Sequence, residues 1–101
     1  MIVHNVFFWM KKGAPKGAAP QTIRDARKYL KTPTTKQVWA GPPARTPVRD
    51  VVNATFDVGL CVLFDDVKAH DAYQEDPQHQ VFIKRNKKNW LRVEVYDFEQ
   101  S

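Results

Sequence analysis

The clearest hydrophobic pattern in the chain lies at residues 54–64, ATFDVGLCVLF. Phe56, Val58, Leu60, Val62 and Phe64 fall on one side of an extended backbone, opposite Thr55, Asp57, Gly59, Cys61 and Leu63. An unbroken apolar face of this kind predicts a strand set against a core. Residues 2–10, IVHNVFFWM, are β-branched and aromatic and predict a second strand. Here the even positions Ile2, His4, Val6, Phe8 and Met10 and the odd positions Val3, Asn5, Phe7 and Trp9 are both mostly apolar, so both faces should be covered. Residues 34–41 form a weakly patterned strand. Residues 90–98 form another, in which Leu91, Val93, Val95 and Asp97 alternate with Arg92, Glu94, Tyr96 and Phe98.

Between the strands the period changes to that of a helix. After the Gly/Pro/Ala/Lys loop 11–20, Pro20 suits a first helical position, and Ile23, Ala26 and Leu30 recur at helical spacing before Pro33. Residues 42–50 hold three prolines and predict a loop. Asp65 or Asp66 caps a helix running to about Tyr73. Asp76 is a second N-cap, with Pro77 ideal as the first residue of a helix reaching about Lys88; proline also disfavours helical geometry at the residue before it. The inward stripe of this last helix is His79, Phe82, Ile83 and Asn86, with Trp90 at its exit. His79 therefore lies in the first turn of one helix and Tyr73 in the last turn of the helix before it.

The order β-α-β-β-α(α)-β is the ferredoxin-like α+β arrangement, an antiparallel four-stranded sheet with helices on one face. It accounts for all 101 residues as a single domain. The other sheet face would carry aromatic and aliphatic side chains, and such a face on a small domain calls for a partner. Two sheets packed face to face would make a dimeric α/β barrel, so a homodimer is expected.

Charge and composition narrow the function. A net charge of +5 admits an anionic partner, but Lys84, Arg85, Lys87 and Lys88 lie mostly opposite Phe82 and Ile83, as on a solvated helix face. No aromatics interleave with them, which speaks against nucleic-acid binding. No run approaches the ~18 apolar residues of a membrane span, and the N-terminus lacks the order of a signal peptide. With Cys61 the one cysteine, a reducing, cytoplasmic setting is expected. The histidines His4, His70 and His79 show no HxH, HExxH or CxxC spacing, and the four glycines form no phosphate loop, so neither a metal nor a cofactor is expected.

The stretch FDVGLCVLFDDVKAHDAYQEDPQHQVF, residues 56–82, resembles the stress-responsive A/B barrel family, also called the dimeric α/β barrel or Dabb domain. The resemblance rests on Asp57, Gly59, Leu60, Phe64, the acidic cap Asp65, the pair Ala72-Tyr73, and Pro77-x-His79. The opening MIVHNVFFW, with His4, and the closing VEVYDF are similar to the family's first and last strands; residues 11–53 follow it least. The resemblance implies a homodimer with a small pocket between sheet and helices. Some members are polyketide cyclases that close a ring by intramolecular aldol condensation without a cofactor, and the residues acting there are matched by Tyr73 and His79. Related barrels include cofactor-independent monooxygenases and haem-handling enzymes.

Tyr73 and His79 are thus the candidate catalytic residues. Imidazole titrates near neutral pH and can act as a general base, while a phenol can hold a developing enolate. His4, Phe82 and Trp90 are the candidate lining of a pocket for a small hydrophobic or aromatic molecule, His4 as a satisfied wall residue. The opposing reading is a non-catalytic dimeric module of stress response or assembly, with structural histidines. Both stand open from the sequence.

Overall fold

The computed structural model describes residues 1–101. In chain order it contains β1 (Ile2–Met10), α1 (Ala18–Tyr29), β2 (Thr35–Gly41), β3 (Val58–Phe64), α2 (Val67–Glu75), α3 (Pro77–Asn86), a 3-10 turn at Lys87–Asn89, and β4 (Trp90–Glu99). The strands form one antiparallel sheet in the order β2-β3-β1-β4, so the first strand is central and the last lies at an edge. This is the ferredoxin-like fold. No helix is long and apolar enough to cross a membrane.

Register decides which side chains share a face. In β1, His4, Val6 and Phe8 stand opposite Val62, Leu60 and Val58 of β3 and opposite Asp97, Val95 and Val93 of β4. This is the helix-covered face. Its core comprises Val6, Phe8, Val38, Val58, Leu60, Val62 and Phe64 from the sheet, Ala26 of α1, Leu30 at the end of α1, Tyr73 of α2 and Phe82 of α3. Asn5, Phe7, Trp39, Cys61, Tyr96 and Phe98 belong to the opposite face, which no helix covers; Trp39, Tyr96 and Phe98 are all more than half exposed in the single chain.

Helix ends follow local chemistry. Asp66 accepts a hydrogen bond from the Ala69 amide at 2.8 Å and starts α2. Asp76 is extended (φ −65°, ψ 136°) and accepts from the Gln78 amide at 2.8 Å, with Pro77 as the first residue of α3. Each such cap contributes about 0.5–2 kcal/mol. The helix layer is tied together by a buried polar cluster. Asp25 of α1 accepts from Arg85 Nε (2.8 Å) and Asn86 Nδ2 (3.0 Å), and Thr22 donates to Asn86 Oδ1 (3.2 Å).

Some boundaries differ from the sequence expectation. The first helix begins at Ala18, placing Pro20 third rather than first. The missing amide still falls in the first turn, where no intrahelical acceptor exists for it. The third strand starts at Val58, not at 54. Asp57 breaks the ladder because its carboxylate accepts from the Met10 amide at 2.7 Å, and Thr55 Oγ1 accepts from the Trp9 indole at 3.0 Å. Residues 55 and 57 are held to the end of β1 by these two bonds and by the Asp57 amide, which donates to the Phe8 carbonyl at 2.8 Å.

Candidate functional site

The break between α2 and α3 decides where Tyr73 and His79 sit. Because Asp76 is extended, α3 leaves in a new direction, and its first turn folds back against the last turn of α2. The rings of Tyr73 and His79 meet edge-on with centroids 4.6 Å apart, and no hydrogen bond joins them. Tyr73 is 1 % exposed and His79 8 %.

Both line a cavity of about 160 Å³ between sheet and helices, walled by His4, Val6, Phe8, Leu60, Gln74, Phe82, Ile83, Trp90, Val93 and Val95. Every residue named from the sequence as catalytic or pocket-lining borders this cavity. The walls are mostly apolar. Phe8, Phe82 and Trp90 form one aromatic side (centroids 4.6 and 5.6 Å from Trp90), while the Trp90 indole N–H points away to Thr22 Oγ1 at 3.3 Å. Val93 and Val95 of the edge strand are 41 % and 50 % exposed, so the cavity opens on that side. A broader, shallow hollow of about 290 Å³ on the uncovered sheet face, around Phe7, Trp39 and Cys61, lacks any histidine or tyrosine.

The polar groups of the cavity have distinct roles. Nδ1 of His79 is buried with no hydrogen-bond partner in the chain. Burial pushes the imidazole below its ordinary value of 6.5; His4 and His70 push the same way, and Asp76 opposes them in part. His79 is thus a neutral base at neutral pH. Burial raises the Tyr73 phenol far above its usual value, so it is an O–H donor and never a phenolate under ordinary conditions. His4 is buried and donates from Nδ1 to Asp97 Oδ1 at 2.5 Å, because the carboxylate can only accept. Burial outweighs the Asp97 contact and lowers the His4 value too.

Sequence reading missed Asp97, Gln74 and His70. Asp97 and His4 are 93 positions apart, and only the β1–β4 register sets them side by side. His70 of α2 lies against His4, with ring centroids 5.0 Å apart. Helical spacing could have flagged Gln74 and His70 as one-turn neighbours on α2, but nothing local ties either to β1.

A family model described as the Stress Responsive A/B Barrel Domain matches residues 2–100. The chain belongs to this family. Three solved structures illustrate how far the Dabb fold extends around it. A dimeric ferredoxin-like protein of unknown function from Thermobifida fusca superposes with a TM-score of 0.80 at 17% identity, covering 98% of this chain and 90% of that one. The hydroxynitrile lyase of Passiflora edulis gives 0.79 at 20% identity, covering 99% and 93%. A Dabb family protein from Mesorhizobium loti gives 0.76 at 20% identity, covering 99% and 96%. No curated protein matches the sequence. At these identities the likeness is one of fold.

Proposed function

We propose that this Dabb domain works as a homodimer in which each chain holds a small, mainly apolar molecule between sheet and helices, and that Tyr73 and His79 perform cofactor-independent proton transfer on it, of lyase or cyclase type. The observation that carries this reading is the buried His79 ring, edge-on to Tyr73 at 4.6 Å, on the wall of an apolar cavity. A buried polar atom without a partner costs about 1–3 kcal/mol; His79 Nε2, which is not closed off in this way, is the ring nitrogen open to a ligand hydroxyl. The cavity, near 160 Å³, is smaller than the ~300–1,000 Å³ of sites for drug-sized ligands, which favours a substrate about the size of one aromatic ring. His79 would take a proton from a substrate hydroxyl or activated carbon, and the Tyr73 hydroxyl would donate to the substrate oxygen. The homodimer is supported by the uncovered face bearing Trp39, Tyr96 and Phe98, and by structural neighbours described as dimeric.

The neighbouring hydroxynitrile lyase suggests a probe. In cleavage of mandelonitrile, His79 would accept the hydroxyl proton as the carbon–nitrile bond breaks, and cyanide would leave with that proton as HCN, giving benzaldehyde. Benzaldehyde release above the buffer rate is expected, falling about 10²–10⁴-fold in His79→Gln. No release, together with no change in the His79 imidazole resonances on adding benzaldehyde, would overturn the reading. A second reading has one observation in its favour. Tyr73 is tilted against Phe64 at 4.9 Å within an aromatic cluster, as a core residue would be. That reading makes the domain a non-catalytic dimeric module and expects His79→Gln to leave every ligand response untouched.

A further inference from the structure

We propose that His4, His70 and Asp97 form a binding site for a late first-row divalent cation such as Zn²⁺. The site goes beyond the proton-transfer reading, since it uses neither Tyr73 nor His79. One residue comes from each of β1, α2 and β4, and one ligand atom from each lies within 4.8 Å of the other two. Two imidazoles and a carboxylate are a ligand set that holds zinc and leaves a fourth position open.

The spacing of the two rings fits this set. With Zn–N bonds of about 2.0–2.1 Å, two imidazoles on a tetrahedral ion have ring centroids about 5 Å apart. His4 and His70 have theirs 5.0 Å apart, at an interplanar angle of 66°. Ligand atoms on such an ion sit about 3.3 Å from one another, so the widest separation must close by no more than about 1.5 Å, and the 2.5 Å His4–Asp97 pair must open by about 0.8 Å. The side chains that need to move are the ones with room. His70 is partly exposed, and the Asp97 side chain is 44 % exposed on the edge strand.

His70 is also held as ligand histidines are. Its Nδ1 lies 3.1 Å from Asp71 Oδ1, which fixes the tautomer and leaves Nε2 as the lone-pair atom. That Nε2 has only a long 3.4 Å contact with Gln74 Nε2. At His4 the ion would take the place of the hydrogen bond to Asp97. The imidazole proton moves from Nδ1 to Nε2, Nδ1 and the carboxylate become ligands, and no net proton is released. The set escaped the sequence because its members stand at positions 4, 70 and 97, with no local spacing to betray them.

The test uses full-length, tag-free protein stripped with EDTA and dialysed. Calorimetric titration with ZnCl₂ is expected to give one ion per chain, and Co²⁺ to give visible bands of four-coordinate intensity. His70→Ala and Asp97→Asn should each weaken zinc binding by at least about 10–100-fold, the range seen for loss of even an outer-sphere partner. Both positions are partly or largely exposed, and far-ultraviolet circular dichroism verifies that the variants are folded. His79→Gln should bind zinc as the parent does, which separates this site from the proton-transfer pair. Absence of saturable binding, or binding unchanged in both His70→Ala and Asp97→Asn, would overturn the proposal.

Discussion

Replacing His79 by leucine should make the protein more stable while removing its response to ligands. The side chain is 8 % exposed and its Nδ1 has no partner in the chain. An unsatisfied buried polar atom costs about 1–3 kcal/mol. Leucine removes that cost in a similar volume, but it also loses the edge-on contact with Tyr73 at 4.6 Å, and aromatic pairs contribute about 0.5–1.5 kcal/mol beyond their area. The difference is a net gain of about 1 kcal/mol. For a domain of this length that raises Tm by about 4–8 °C. Differential scanning calorimetry at pH 8, where the imidazole is neutral in both folded and unfolded chains, measures it. Protein concentration must be matched, since a dimer's Tm depends on it. A loss of more than about 1 kcal/mol in His79→Leu would refute the reasoning. It would mean that Nδ1 is satisfied in solution and that His79 holds the break between α2 and α3 together. Stability gained by removing a functional group is the usual sign that the group serves the site rather than the fold.

The same residue fixes a pH dependence. Its folded value lies below 6.5 because of burial, with His4 and His70 adding to the depression and Asp76 opposing it. The unfolded chain therefore binds the proton more readily. The stability this group gives is present above about pH 6.5 and is lost as pH falls from there through the folded value. The difference between parent and His79→Leu unfolding free energies should change over that window and stay flat above it; a difference flat throughout would count against a buried neutral imidazole. Trp39→Glu places a charge on the uncovered sheet face at a residue 54 % exposed in the single chain. It is expected to leave the monomer fold intact and halve the light-scattering mass, and a parent that is already monomeric at micromolar concentration would end the homodimer reading.

How much of this was legible depends on the distance over which each feature is determined. The Asp76-Pro77 restart, the stripe His79–Phe82–Ile83–Asn86 and the two-sided apolarity of β1 are written within a few residues, and each appears in the fold. The start of β3 was misplaced because Asp57 turns its carboxylate to the Met10 amide, a contact across 47 positions. Asp25 has no sequence pattern that marks it, yet it is buried, with Arg85 and Asn86 converging on it from α3. The His4–Asp97 pair needed the strand register. The unpartnered Nδ1 of His79 needed the packing of two helices, which no periodicity encodes.

The strand order has a consequence for how the chain reaches its native state. β1 holds the centre of the sheet, but one of its two neighbours is β4, and the ladder between them runs from Ile2↔Glu99 to Met10↔Trp90. Nearly the whole chain must therefore be present before the central strand is paired on both sides. Contacts of such separation close late, because loop entropy is lost before they return any energy. Until then β1 has one edge unpaired, and residues 90–99 are what cover it. The cavity is completed in the same step, since Trp90, Val93 and Val95 of its wall, and the carboxylate that holds the His4 ring, all arrive on that strand.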